Sequence, residues 1–121
     1  MVVNDVALAT VRRGLQLDPL LPALRGREVD VLLAMDDLDA ARLSVAELEA
    51  LDPQGYWSGR ARVRLLWREG NLDDAERELR ALRTRWANVP WVHLLALEFA
   101  EATGRAGLEE ESRDALRVLR R

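Results

Sequence analysis

The 121-residue chain contains no cysteine, no lysine and no isoleucine, and only one histidine, one tyrosine and one phenylalanine. Without cysteine there is no disulfide framework, no thiolate metal site and no thiol nucleophile. Without lysine there is neither a Schiff-base amine nor a P-loop ammonium. His93 and Tyr56 leave little material for acid–base chemistry, so neither an enzyme nor a bound cofactor is expected. No apolar run approaches the ~20 residues of a transmembrane helix. The apolar start from Met1 to Val11 is interrupted by Asn4 and Asp5, with no basic region before it and no small-residue cleavage site after it. A signal peptide is therefore not expected, and the expectation is a soluble, cytoplasmic domain with no membrane partner. Every one of the 18 basic residues is arginine, which points to GC-rich codons and a bacterial source.

What is present suits a folded domain. Eighteen basic side chains face 21 acidic ones, for a net charge of −3, and 49% of the residues are hydrophobic. That balance is wrong for a disordered tail, and a chain of this length removes roughly two-thirds of its unfolded surface from water.

The chain repeats with a period of 34. Leu17-Asp18-Pro19 recurs as Leu51-Asp52-Pro53, and Asp37-Leu38-Asp39-Ala40-Ala41 as Asn71-Leu72-Asp73-Asp74-Ala75. Trp57 and Trp91 share the spacing, Ala7, Ala41 and Ala75 follow it, and Pro22 and Pro90 stand two periods apart. Each period reads as two helices. Leu72, Ala75, Leu79 and Leu82 form the stripe of an amphipathic helix over 72–86, with Asn71 as its N-cap. Leu38, Ala41, Val45 and Leu48 repeat that stripe over 38–51, capped by Asp37. First helices are expected near 22–35, 56–69 and 90–103, opened by Pro22 and Pro90 and closed by Gly70 and Gly104. A helix over 4–17 and a last one near 108–120, after a turn two residues longer than the others, bring the expectation to seven helices and no strand.

This pattern resembles the tetratricopeptide repeat over nearly the whole chain. The residues that carry the resemblance are Gly70-Asn71-Leu72-Asp73-Asp74-Ala75, the two Leu-Asp-Pro triplets and the small Ala7, Ala41 and Ala75. The chain departs from the family at Arg25, Gly59 and His93, where an aromatic residue is usual, and at Val29, Val63 and Leu97, where Gly or Ala is preferred. Glu109 or Glu111 replaces the alanine of the final repeat. The resemblance implies an all-α fold: a right-handed superhelical solenoid of antiparallel helix pairs forming a single domain over 1–121. It would comprise a half repeat at 1–19 and repeats at about 20–53, 54–87 and 88–121. It also implies a non-enzymatic protein–protein interaction module, a scaffold or adaptor that holds a peptide or partner segment in a concave groove lined by the first helices.

Helical spacing places Trp57, Arg60, Arg64 and Trp67 on one face, with Trp91, Leu94, Glu98 and Glu101 in the equivalent places one repeat later. Ala23, Gly26, Asp30 and Leu33 occupy them one repeat earlier. Two readings fit these residues. In one, the arginines and tryptophans grip an acidic or carboxylate-ended peptide. In the other, which the commonness of solvated charge runs favours, Asp30, Arg64 and Glu98 neutralise one another. Trp86 and Trp91 are expected to plug the junction between repeats. His93 has no second ligand at metal spacing, so no metal site is expected. Ser44, Ser58 and Ser112 lack a nucleophile motif. Arginines at 77, 80, 83 and 85 could face nucleic acid, but the net negative charge argues against it. Self-assembly into a homo-oligomer, or a structural role within a larger protein, is the alternative to partner capture.

Overall fold

The computed structural model describes residues 3–121, so Met1 and Val2 of the expected half repeat lie outside the described residues. These residues form seven α-helices and no strand: α1 (Val3–Leu17), α2 (Pro22–Ala34), α3 (Leu38–Leu51), α4 (Tyr56–Arg68), α5 (Leu72–Arg85), α6 (Pro90–Thr103) and α7 (Ala106–Leu119). The chain divides into two compact units, the first ending at Asn71 and the second spanning Leu72–Arg121.

Local chemistry accounts for the helix ends. Pro22 and Pro90 sit in the first turns of α2 and α6, where a missing N–H costs no hydrogen bond. Asp37 caps α3, its side chain accepting from the Ala40 N–H at 3.2 Å. Asp73 and Asp74 open α5, and Arg83 and Arg85 close it, matching both ends of the helix dipole.

The strongest periodic feature is the turn after α2, α4 and α6. Asp36 (φ 59°), Gly70 (φ 81°) and Gly104 (φ 72°) are all left-handed, 34 residues apart. The next residue in each turn donates its N–H five residues back at 2.9 Å: Asp37 to Leu32, Asn71 to Leu66 and Arg105 to Ala100. This is the Schellman closure, which satisfies carbonyls that a helix end would otherwise orphan. Because the turn is the same length each time, α7 begins at Ala106, not at the later start near 108 that the spacing of its leucines suggests. An alanine Cβ at residue 104 would meet nothing within 4 Å, so any penalty there belongs to the backbone alone. Gly104→Ala should therefore cost about 1 kcal/mol, and Gly104→Asn clearly less, since Asn and Asp tolerate this conformation. Equal losses in urea unfolding would refute that origin.

The first unit packs α1 on α2, α2 on α3, and α4 against both α2 and α3. Its core comprises Val29, Leu32 and Leu33 of α2, Ala41, Val45 and Leu48 of α3, and Ala61 and Leu65 of α4. In the second unit α6 packs on α5 and on α7. Its buried apolar residues include Leu79, Leu82, Val92, Ala96, Phe99, Ala100 and Leu108. Ala41 and Ala75 are fully buried, whereas Ala7 is only half-buried.

Candidate functional site

In the first unit the expected groove residues of α4 gather on α2. Gly26 lets the indole of Trp57 approach so closely that a Cβ there would stand 2.7 Å from Trp57 Cε3. Tyr56 meets the Trp57 ring edge-on at 5.3 Å, and the Arg60 guanidinium carbon lies 5.4 Å from the ring centroid. Arg60 Nη1 donates to Asp30 Oδ1 at 2.8 Å, and Arg64 Nε lies 3.7 Å from the same oxygen, too far for a hydrogen bond. One internal carboxylate thus faces two arginines. Trp67, on the same helix, is half-buried.

The α6 stripe in the second unit has a different character. Trp91 is 68% exposed and Leu94 41%, with Glu98 and Glu101 exposed further along the helix. Trp91 therefore does not plug a junction as its sequence position suggests. Its indole stands in solvent, while Trp86 is half-buried with its Nε1 lacking a hydrogen-bond partner.

The remaining polar candidates are committed to the structure. Buried His93 directs Nε2 at the Ala87 carbonyl (2.7 Å), and its Nδ1 accepts from Arg83 Nε at 3.3 Å, which assigns the proton to Nε2. All three serines are buried. Ser44 donates to Glu28 at 2.6 Å, Ser58 to the Asp52 carbonyl, and Ser112 to the Leu108 carbonyl at 2.7 Å. Among the described residues, no group of three or more His, Asp and Glu is placed to hold a metal ion, and no helix is long and apolar enough to cross a membrane.

Two charge networks were not anticipated from the sequence. In the first unit Glu28 is 6% exposed. It accepts from Ser44, from Arg25 at 3.0 Å and from Arg12 at 3.4 Å, linking α1, α2 and α3. Burial is the largest single influence on this carboxyl and pushes its pKa up. The hydrogen bonds from Ser44, Arg25 and Arg12, with the Arg25 charge, together outweigh it and hold Glu28 below its ordinary value. In the second unit a relay runs from Asp73 to Arg105 (3.0 Å), Glu76 (2.7 Å), Arg80 (3.0 Å), Glu111 (2.6 Å) and Arg83 (3.2 Å), ending on His93. Glu76 is held low by its hydrogen bonds from Arg105 and then Arg80, and Glu111 mainly by the one from Arg80. Of these links only Arg25–Glu28 and Glu76–Arg80, at three and four residues on one helix, are legible as neighbours from spacing alone. Comparison with protein-family models and with curated proteins finds no match to this chain.

Proposed function

We propose that this chain is a divergent tetratricopeptide-type array, a curved right-handed solenoid of helix pairs, acting as a non-enzymatic cytoplasmic scaffold or adaptor. In this reading a partner protein segment binds along the first helices, anchored on the α6 stripe of Trp91, Leu94, Glu98 and Glu101. The Schellman turns recurring every 34 residues support the array. The exposed indole of Trp91 carries the interaction, because an aromatic side chain beside an exposed leucine is the usual material of a binding hot spot. Asp30 already occupies Arg60 and competes for Arg64, so a carboxylate-ended peptide would have to displace it, and α4 contributes mainly apolar and cation–π contact around Trp57. Nucleic acid is disfavoured by the pairing of Arg77, Arg80 and Arg83 with Asp74, Glu76 and Glu111, which leaves few of the α5 cations for phosphate.

The test is differential capture by wild type, Trp91→Ala and Leu94→Ala, with unfolding midpoints measured on the same preparations. Partners retained by wild type should be lost from both variants at nearly unchanged stability, as expected for exposed positions. Identical recoveries would refute the assignment. Light scattering over a concentration series separates the alternative of self-assembly, which the exposed Leu17 and Leu20 of the first unit favour. In that case the mass would rise with concentration.

A further inference from the structure

We propose that a second face, the open side of the α6–α7 pair at Leu97 and Leu116, receives an acidic amphipathic helix from a partner protein. A cavity of about 210 Å³ opens there, lined by Leu97, Arg113, Leu116, Arg117 and Arg120. It is smaller than the ~300 Å³ at which small-molecule pockets begin, and of the size that accepts one large apolar side chain. Its floor is leucine and its rim is arginine.

The chain itself shows what such a face accepts. Two periods earlier, Val29, Val45 and Leu48 hold the places of Leu97, Arg113 and Leu116, while Glu49 and Asp52 hold those of Arg117 and Arg120. In the first unit that face is covered by a helix, α4, whose Ala61 and Leu65 join Val29, Val45 and Leu48 in one core. At its rim Arg62 of α4 lies 3.7 Å from Glu49, and Ser58 donates to the Asp52 carbonyl. On α6–α7 the rim has the opposite sign, so the helix that fits carries carboxylates where α4 carries Arg62.

The cations are available to it. Arg120 has no ion pair among the described residues. Arg117 is mostly exposed and bonded only to Asp114 of its own helix, at 3.0 Å. Arg113 is already shared between Glu101 at 3.2 Å and Glu109 at 2.8 Å, so specificity falls to Arg117 and Arg120. Glu109 and Arg113 stand where α3 and α5 carry Ala41 and Ala75, Val45 and Leu79. Those polar replacements make this face of α7 more tolerant of water than the equivalent faces of α3 and α5.

The experiment is calorimetric titration with three synthetic helical peptides. One carries leucines at i and i+4 flanked by glutamates, the second carries the same leucines flanked by lysines, and the third carries the glutamates with alanines in place of the leucines. The first should bind at least about tenfold more tightly than either control, and Arg117→Glu with Arg120→Glu should weaken it by about tenfold or more. Leu116→Asp should abolish binding, while Arg27→Glu, an exposed reversal on α2, should leave it unchanged. Both arginines are on the surface, so retention of helicity by circular dichroism confirms that the reversed variant is folded. Equal binding of the lysine or alanine peptide, an unchanged affinity after the arginine reversals, or no binding at all would overturn the proposal. So would concentration-dependent dimerisation that the reversals remove, which would make the occupant a second copy. Trp91→Ala should not alter this titration, so the outcome is independent of the α6 stripe.

Discussion

Phe99→Ala should destabilise the protein by about 3–5 kcal/mol, the largest loss expected from any single truncation in the second unit. Phe99 is fully buried in α6, the helix that packs on both α5 and α7, and is the largest fully buried side chain among the described residues. Truncation removes the transfer free energy of the ring and leaves a cavity that backbone-constrained neighbours cannot fill. It also takes away the surface over which the Arg105 guanidinium lies, 5.7 Å from the ring centroid. Natural domains of this size have only about 5–15 kcal/mol in total, so the variant should lie near its unfolding threshold at room temperature. The denaturant midpoint should fall with little change in slope. Amide protection should be lost first across 72–121. A loss below about 1 kcal/mol would mean that the site collapses around the missing ring, contrary to the packing described.

Glu28→Ala should cost about 2–3 kcal/mol, because it leaves the Ser44 hydroxyl and part of the Arg25 guanidinium without the partner that compensated their burial. The figure stays below that for a fully enclosed pair because Arg25 retains Glu47 at 2.9 Å and Arg12 is half in solvent. The network also has a pH signature. Glu28 titrates below its unfolded value, so the folded state holds the carboxylate more firmly than the unfolded chain does. Its contribution is complete above the ordinary glutamate pKa of about 4.3 and fades as pH falls past that value and through the lower folded one. Glu28→Gln should therefore flatten the acid limb of stability against pH, leaving the part due to Glu76 and Glu111, which are also held low. An NMR titration placing the Glu28 carboxyl above the usual glutamate range would refute the network's role.

These two residues differ in how visible they are from the chain alone. Helix placement is legible because its causes are local. Pro22 and Pro90 start helices through a missing N–H, Asp37 caps through its own side chain, and Gly70 and Gly104 end helices through their freedom at positive φ. The third left-handed turn shows where local reading stops. Asp36 holds the same conformation one period earlier, but aspartate is ambiguous between cap, turn and surface until the turn is seen.

Spacing assigns the binding candidates to a helix face but does not say what covers it. Spacing put Trp57 and Trp91 in one class. The fold seats Trp57 on Gly26, where no side chain intervenes, and leaves Trp91 in water. Spacing also made Arg60 and Arg64 candidates for an external carboxylate, and the packing of α4 on α2 gives both of them Asp30.

The seven helices, their period and most of their ends follow from interactions within a few residues. The sequence carries most of those, the start of α7 at Ala106 and the Asp36 turn excepted. Which side chains are buried, which charges are spent inside the molecule, and which face stays open were decided only by packing between helices. Glu28 meets Ser44 sixteen residues away, and Arg80 meets Glu111 thirty-one residues away. Such pairings depend on how the helices cross, an arrangement that no short stretch of sequence encodes.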